Sequence, residues 1–203
     1  RGIEVLVKKA SVDPAFRAAI PWEVACQQFN LIGSHDTPRL LSLLKGNRDL
    51  LHLALALLFT YPGVPCIYYG DEIGLGGDLG MNSRQCMSWD PSTWDMDLHS
   101  WYKALAHLRR TSHALVDGGF QVLLIDSDTL VYQRDTDEEI VLVIAYRGEQ
   151  IRLPGLVPVT DGAIPDGVEF EELFTHQRVS ITNGFFPIPA IPQGAQVWVA
   201  RII

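Results

Sequence analysis

The stretch that decides the fold is "NLIGSHDTPRL", residues 30–40, in which an apolar segment meets a cluster of polar side chains. The apolar run ends at Gly33, and an imidazole and a carboxylate, His35 and Asp36, follow within three residues. Thr37 is a suitable N-cap for a helix with the next proline in its first turn. The stretch therefore predicts a buried strand that ends in polar groups and leads into a helix.

A second apolar segment ends in the same way. "VPCIYY", residues 64–69, runs into Gly-Asp-Glu, and its unbroken apolar character is typical of a strand covered on both faces. Between the two segments, "RDLLHLALALLFTY" (residues 48–61) predicts a buried helix capped by Asn47 and ended by Pro62-Gly63. Strand, helix and strand in this order predict parallel neighbours, and ligands bind at the carboxyl ends of such strands. On spacing alone, these polar residues could equally be ordinary helix-entry and loop residues.

The pattern changes at Gly118-Gly119. Residues 1–117 alternate helical and strand segments, including the helix "LHSWYKALAHLRR". Residues 118–203 consist of short strands separated by turns, which predicts an antiparallel β-sandwich with its own core. The predicted fold is α/β followed by all-β. The predicted strands of the second region are 120–126, 130–135, 140–147, 150–154, 168–174, 178–182 and 196–202.

Composition excludes several classes of protein. The chain has 203 residues, 47% of them hydrophobic and 20% charged, which is typical of a globular protein. The net charge of −8 argues against a nucleic-acid or anionic-membrane partner. The apolar stretch at residues 50–69 is cut by prolines into a helix too short to cross a bilayer. Three cysteines in no zinc-binding spacing favour buried free thiols in a reducing cytoplasm over one disulfide with a leftover thiol.

Several longer motifs carry a resemblance. "FNLIGSHDTPRL" and "PGVPCIYYGDEIGL" resemble the last two barrel strands of glycoside hydrolase family 13, the α-amylase family, and "RQCMSWD" with "WYKALAHLRRTSHAL" is similar to the closing loop and helix of that barrel. The resemblance is strongest to the cyclomaltodextrinase–neopullulanase–maltodextrin glucosidase branch. It implies that residues 1–117 are the C-terminal part of a catalytic (β/α)8 TIM barrel, with its last two strands and helices, and that residues 118–203 are the family's β domain C. The implied activity is retaining hydrolysis of α-1,4 linkages in maltodextrins.

The resemblance also implies site residues. His35 matches the histidine of subsite −1, and Asp36 matches the carboxylate that stabilises the transition state by binding the 2- and 3-hydroxyls of the distorted sugar. Such bonds strengthen as the ring flattens towards an oxocarbenium ion. Arg84 matches an arginine that contacts the glucan, but relatives place an aspartate where this chain has Gly80. Either Asp78 substitutes for that aspartate, or subsite −2 is weaker.

Other residues keep two interpretations. Arg39 follows the pattern of this branch, but it could contact substrate or form a surface ion pair. Tyr68 and Tyr69 could stack on sugars, although packing in the core is favoured, and Glu72 is favoured as a buried structural acid. No cofactor or metal ion is implied.

Two catalytic groups of a retaining glycosidase are not recognisable in the chain. The nucleophile and acid/base motifs, which would precede residue 29, are not found there, and residue 1 is not methionine. We therefore expect a fragment that is inactive alone, carries two unpaired strand edges (residues 27–33 and 64–69), and associates through them or with the missing N-terminal part of the enzyme. The alternative is a non-catalytic glucan-binding or scaffold module derived from such an enzyme.

Overall fold

The first half of the chain is mostly helical, with two short strands. The computed structural model describes residues 20–159 and 164–202. Among the described residues, no helix is both long enough and apolar enough to cross a membrane. The helices are α1 (Trp22–Ala25), α2 (Leu40–Leu43), α3 (Arg48–Thr60), α4 (Met96–Thr111) and α5 (His113–Val116), the first two strands are β1 (Phe29–Leu31) and β2 (Val64–Cys66), and 3-10 turns cover Asp71–Ile73, Met81–Arg84 and Pro91–Thr93.

The two strands confirm the predicted parallel pairing. β1 and β2 lie side by side with Phe29 opposite Val64 and Leu31 opposite Cys66. Both strands are shorter than predicted, with three residues each. The prediction that β2 is covered on both faces is wrong for this chain, because Val64 and Cys66 are exposed. On β1, the side chains of Phe29 and Leu31 are 74% and 53% exposed.

The two predicted helix caps had different outcomes. Asn47 caps α3, accepting a hydrogen bond from the Leu50 backbone N–H at 3.0 Å, as predicted. Thr37 does not cap a helix, because α2 begins only at Leu40. Its hydroxyl instead closes a turn with Ser34, accepting from the Ser34 N–H at 3.1 Å. This turn uses the local side-chain bonding by which serine and threonine compete with helix formation.

The second half of the chain forms antiparallel sheets. The strands are β3 (Gln121–Ile125), β4 (Thr129–Asp135), β5 (Glu139–Tyr146), β6 (Gly155–Pro158), β7 (Glu169–Glu172), β8 (Arg178–Ser180), β9 (Phe185–Ile188) and β10 (Gly194–Arg201). One sheet has six strands in the order β3-β4-β5-β10-β7-β8, and a second pairs β6 with β9. The predicted strand at 150–154 is wrong, since only Arg152 makes a bridge there, and neither β6 nor β9 was predicted.

The central strands of the six-stranded sheet are buried on both faces. Along β5, Ile140, Leu142 and Ile144 belong to a core shared with β6 and β9, which is the separate core predicted for the β region. The alternate residues Val141 and Val143 belong to a second core, built with the helices. The unbroken apolar sequence of β5 follows from this double coverage.

The helices and the sheet are joined by polar bonds as well. Arg134 of β4 is fully buried and donates to the backbone carbonyls of Thr60, Gly118 and Gly119 at 3.2, 3.0 and 2.7 Å. The hydroxyls of Thr60 and Tyr132 lie 2.5 Å apart. A domain boundary near residue 117 stays a prediction. Residues from both sides of that position share one continuous core.

This shared core predicts cooperative unfolding of α3 and the sheet. Leu55 is fully buried in α3, so Leu55→Ala should cost about 2–5 kcal/mol through lost burial and a residual cavity. Native-state hydrogen exchange should show equal losses of protection in α3 and in β10. The matched control is Leu43→Ala, at an exposed position, which should change stability by less than about 0.5 kcal/mol. Unchanged protection of β10 in Leu55→Ala would show that the sheet is independent of the helix.

Candidate functional site

The loops that follow β1 and β2 meet at one place. Gly33 ends the β1 segment against the carboxylate of Asp71, which follows the β2 segment; a Cβ added to Gly33 would lie 2.9 Å from Asp71 Oδ2. A larger residue here would have to displace the Asp71 carboxylate from its present position. The carboxyl ends of the strands therefore form one surface, as the parallel pairing predicts.

The turn at residues 34–37 presents His35 and Asp36 to solvent. Asp36 N–H donates to Ser34 Oγ at 3.2 Å, and Thr37 Oγ1 lies 3.3 Å from the Ser34 carbonyl. These bonds fix the backbone of the turn and leave the side chains of His35 and Asp36 exposed. His35 Nε2 lies 3.2 Å from Asp36 Oδ2, and the Asp36 side chain is 71% exposed.

Arg84 joins this pair from a distant loop. Its Nε donates to the His35 carbonyl at 3.0 Å, and its Nη2 lies 3.5 Å from Asp36 Oδ1. The guanidinium thus contacts both residues of the dipeptide from the 3-10 turn Met81–Arg84. The structure brings together three of the predicted site residues: an imidazole, a carboxylate and a guanidinium that all face solvent.

Arg39 lies beneath this group, in the interior. Its Nη1 donates to Asp71 Oδ1 and to the Tyr69 carbonyl, both at 2.7 Å, and the guanidinium has no exposed surface. The predicted alternative of an ion pair is therefore found, but its placement at the surface is wrong. Burial also leaves Arg39 no path to a sugar in this structure. Its Nε and Nη2 have no hydrogen-bond partner among the described residues.

Asp71 is the residue that sequence reasoning missed. Burial raises the pKa of its carboxyl group to about 6, although the hydrogen bond and charge of Arg39 act in the opposite direction. The signal available in the sequence was the Gly-Asp-Glu cluster after β2, from which Glu72 was selected instead. Glu72 is half-buried, and its Oε2 has no hydrogen-bond partner among the described residues.

Asp78 is not joined to the group. It is exposed in the loop between Gly77 and Gly80, and in the described part of the chain its carboxylate makes no hydrogen bond or ion pair. Gly80 has φ +94°, a left-handed backbone conformation that an aspartate adopts rarely. The local backbone therefore differs from that expected with an aspartate at this position.

The cysteines differ from expectation in burial. Cys26 is half-buried, whereas Cys66 and Cys86 are exposed, and all three are free thiols. The prediction of buried thiols is therefore wrong for two of them. Among residues 20–159 and 164–202, no group of three or more histidine, cysteine or acidic side chains could hold a metal ion.

Comparison with known proteins identifies the family. Residues 17–104 match the model of the α-amylase catalytic domain. A cyclomaltodextrinase of Bacillus sp is 40% identical over 129 residues, which are 63% of this chain and 23% of that protein. The intracellular maltogenic amylase of Bacillus subtilis is 32% identical over 166 residues, 79% of this chain and 28% of that protein. A solved cyclomaltodextrinase superimposes with a TM-score of 0.81 at 30% identity, over 91% of this chain and 31% of that one.

These matches define the class of protein to which the site belongs. The solved relative shares the fold over most of this chain, and the family model covers the stretch that contains His35, Asp36 and Arg84. The chain belongs to the α-amylase family, glycoside hydrolase family 13. It spans less than a third of the length of these relatives.

The buried Asp71 predicts a pH-dependent stability. Because the folded state raises the pKa of this acid to about 6, folding favours the protonated form, so stability is greatest below about pH 4 and falls as pH rises through about 6. The loss should reach about 3 kcal/mol.

Denaturant titrations of the chain between about pH 4 and pH 7 measure this loss. Asp71→Asn should flatten the fall, because the amide does not ionise. Asp137→Asn, at an exposed turn position, serves as the control and should retain it. An equal fall in Asp71→Asn and in the unmodified chain would assign the pH dependence to other groups.

Proposed function

We propose that this chain is the C-terminal part of an enzyme that hydrolyses α-1,4 linkages of maltodextrins with retention, and that it supplies part of the sugar-binding site. The observation that carries the proposal is the solvent-facing group of His35, Asp36 and Arg84 at the ends of two parallel strands, in a chain of the α-amylase family. The names of the relatives, a cyclomaltodextrinase and a maltogenic amylase, support the substrate class. The word intracellular in the second name supports a cytoplasmic location.

The proposed chemistry follows from the three side chains. The exposed carboxylate of Asp36 can accept hydrogen bonds from two neighbouring sugar hydroxyls and attract the positive charge that develops on the ring. His35 can donate to the same hydroxyls from the adjacent position. Arg84 lies against Asp36, so it can hold the carboxylate in one orientation and contact the next sugar.

The proposal assigns the two bond-breaking groups to a part of the enzyme outside the described residues. Retaining glycosidases use a nucleophile and an acid/base with carboxyl groups about 5 to 5.5 Å apart. The Asp36 carboxylate instead lies beside His35 Nε2 and Arg84 Nη2, an arrangement that favours a binding role. The 203-residue chain therefore should bind sugar without cleaving it.

Kinetics of the longer enzyme test the role of Asp36. Asp36→Ala should lower kcat by about 100-fold or more and change KM much less, because contacts to the distorted ring are stronger in the transition state than in the ground state. Asp137→Ala, in the exposed turn between β4 and β5, should retain the parent kcat. The 203-residue chain alone should show no turnover of maltotriose. A kcat within threefold of the parent in Asp36→Ala would overturn the proposal.

The exposed face of β1 and β2 supports the proposal of a missing partner segment. Phe29, Leu31, Val64 and Cys66 are paired across the two strands and share this face. An exposed apolar strand pair normally recruits other chain segments. We propose that the N-terminal part of the same enzyme covers this face, and that in its absence a second copy of the chain does so.

Light scattering and sedimentation test this association. The 203-residue chain should form dimers or larger species, and Phe29→Lys should shift it towards the monomer by placing a charge in the apolar contact. Leu153→Lys, which places the same charge at an exposed apolar position of the β region, is the matched control and should leave the association unchanged. A monomer at all concentrations would remove the argument for a covering partner.

A further inference from the structure

We propose that Tyr68 and Tyr69 are positioning residues, whose hydroxyl groups hold Arg84 in place against Asp36. The contacts of the two tyrosines lie within the described residues. Only the effect of these contacts on catalysis rests on the proposed function. The inference assigns to the two tyrosines a task that neither sugar stacking nor simple core packing includes.

The hydroxyl groups bracket Arg84 along the chain. Tyr68 Oη donates to the carbonyl of Ser83 at 3.3 Å, and Tyr69 Oη donates to the carbonyl of Gln85 at 3.0 Å. The two acceptors are the residues immediately before and after Arg84. The backbone that carries the guanidinium is therefore attached to the end of β2 on both sides.

The rings themselves are held from below. The guanidinium carbon of Arg39 lies 4.5 Å from the centroid of the Tyr68 ring and 4.9 Å from that of Tyr69. Arg39 is in turn fixed by Asp71 and by the carbonyl of Tyr69. Because the guanidinium is fully buried between these groups, it gives both rings a defined orientation. Asp71 thus fixes Arg39, and Arg39 orients the two tyrosine rings. The tyrosine hydroxyls in turn hold the backbone of residues 83–85, which carries Arg84.

The side-chain contacts of Arg84 lie at the surface. The Arg84 side chain is 50% exposed, the Asp36 side chain that it faces is more exposed still, and the bond from Nε to the His35 carbonyl is exposed as well. Solvent screens such an ion pair, so it contributes little to holding the loop. The loop that carries it contains Gly76, Gly77 and Gly80, which allow many backbone conformations.

The rest of the loop is anchored elsewhere. The Gly77 N–H donates to Ser42 Oγ at 2.8 Å, and the Gly77 carbonyl accepts from the Arg39 N–H at 2.9 Å. These bonds hold the start of the loop on α2. Ser83 Oγ bonds to the Gly80 carbonyl within the loop, and Gln85 Nε2 bonds to the Gly76 carbonyl at the anchored start. The tyrosine hydroxyls add the bonds that join the backbone on both sides of Arg84 to the segment that follows β2.

The chain itself allows a direct test by nitrogen-15 NMR of the arginine side chain. Arg84 Nε–H donates to the His35 carbonyl, so its signal, assigned by its loss in Arg84→Lys, should be shifted from that of free arginine and exchange slowly with water. In Tyr68→Phe/Tyr69→Phe, which keeps both rings and deletes both hydroxyls, the signal should move towards free arginine and exchange at least about fivefold faster.

The control variant is Tyr146→Phe. It deletes a hydroxyl that bonds a backbone carbonyl, that of Gln150 at 2.7 Å, in a loop of the β region. It should leave the Arg84 signal unchanged at a comparable cost in stability. The single variant Tyr69→Phe should show part of the effect and provides the test if the double variant does not fold. An Arg84 signal that is unchanged without the hydroxyls would overturn the inference.

Kinetics of the longer enzyme give the catalytic meaning of the contact. Tyr68→Phe/Tyr69→Phe should change KM and kcat in the same proportion as Arg84→Ala, and combining the variants should add little, since they remove one arrangement. Fully additive effects would contradict the inference. If the Arg84 signal changes in Tyr68→Phe/Tyr69→Phe as expected but the longer enzyme hydrolyses no glucan, the positioning contact stands and the proposed function is rejected.

Discussion

The buried ion pair between Arg39 and Asp71 is the interaction on which the site depends. Arg39 lies three residues after Asp36, and Asp71 follows the second strand, so their bond at 2.7 Å joins the two loops that carry the candidate site residues. A buried charge is stable only when it is paired and hydrogen-bonded. The pair therefore restricts the two loops to few relative positions. It fixes their geometry even where its net contribution to the free energy of folding is small.

The apolar core supports this pair from one side. Helix α3 is buried over most of its circumference, because it lies between the parallel strands and the six-stranded sheet. A helix that is apolar all round is typical of such a position. The strand ends therefore lie at the edge of the packed core, which positions the turn that carries Asp36.

Local sequence patterns predicted the features that depend on near neighbours. The limits of α3, its Asn47 cap and the parallel order of β1 and β2 follow from periodicity, capping chemistry and chain connectivity. Thr37 was predicted wrongly because Ser34 offers its side chain a competing turn. Strands β6 and β9 were missed because prolines and glycines within and around "GLVP" and "FFPI" obscure the strand pattern.

The site residues also divide into those that the sequence could identify and those that depend on distant contacts. His35, Asp36 and Arg84 could be selected through resemblance to a family, which already contains information about distant contacts. Asp71 and the tyrosine hydroxyls could not, because their partners lie between 15 and 32 residues away and depend on how the loops pack. Burial of Arg39 was likewise invisible, since an arginine in a first helical turn is ordinarily solvated.

The double coverage of the six-stranded sheet has a consequence for recombination between relatives. The face formed by Val141, Val143 and Val197 is complementary to α3, whereas the opposite face is complementary to β6 and β9. A β region transplanted from another family member would bring one matched face and one foreign face. Exchange of this module should therefore succeed when the crossover point lies before α3, so that the helix travels with the sheet it was selected to fit.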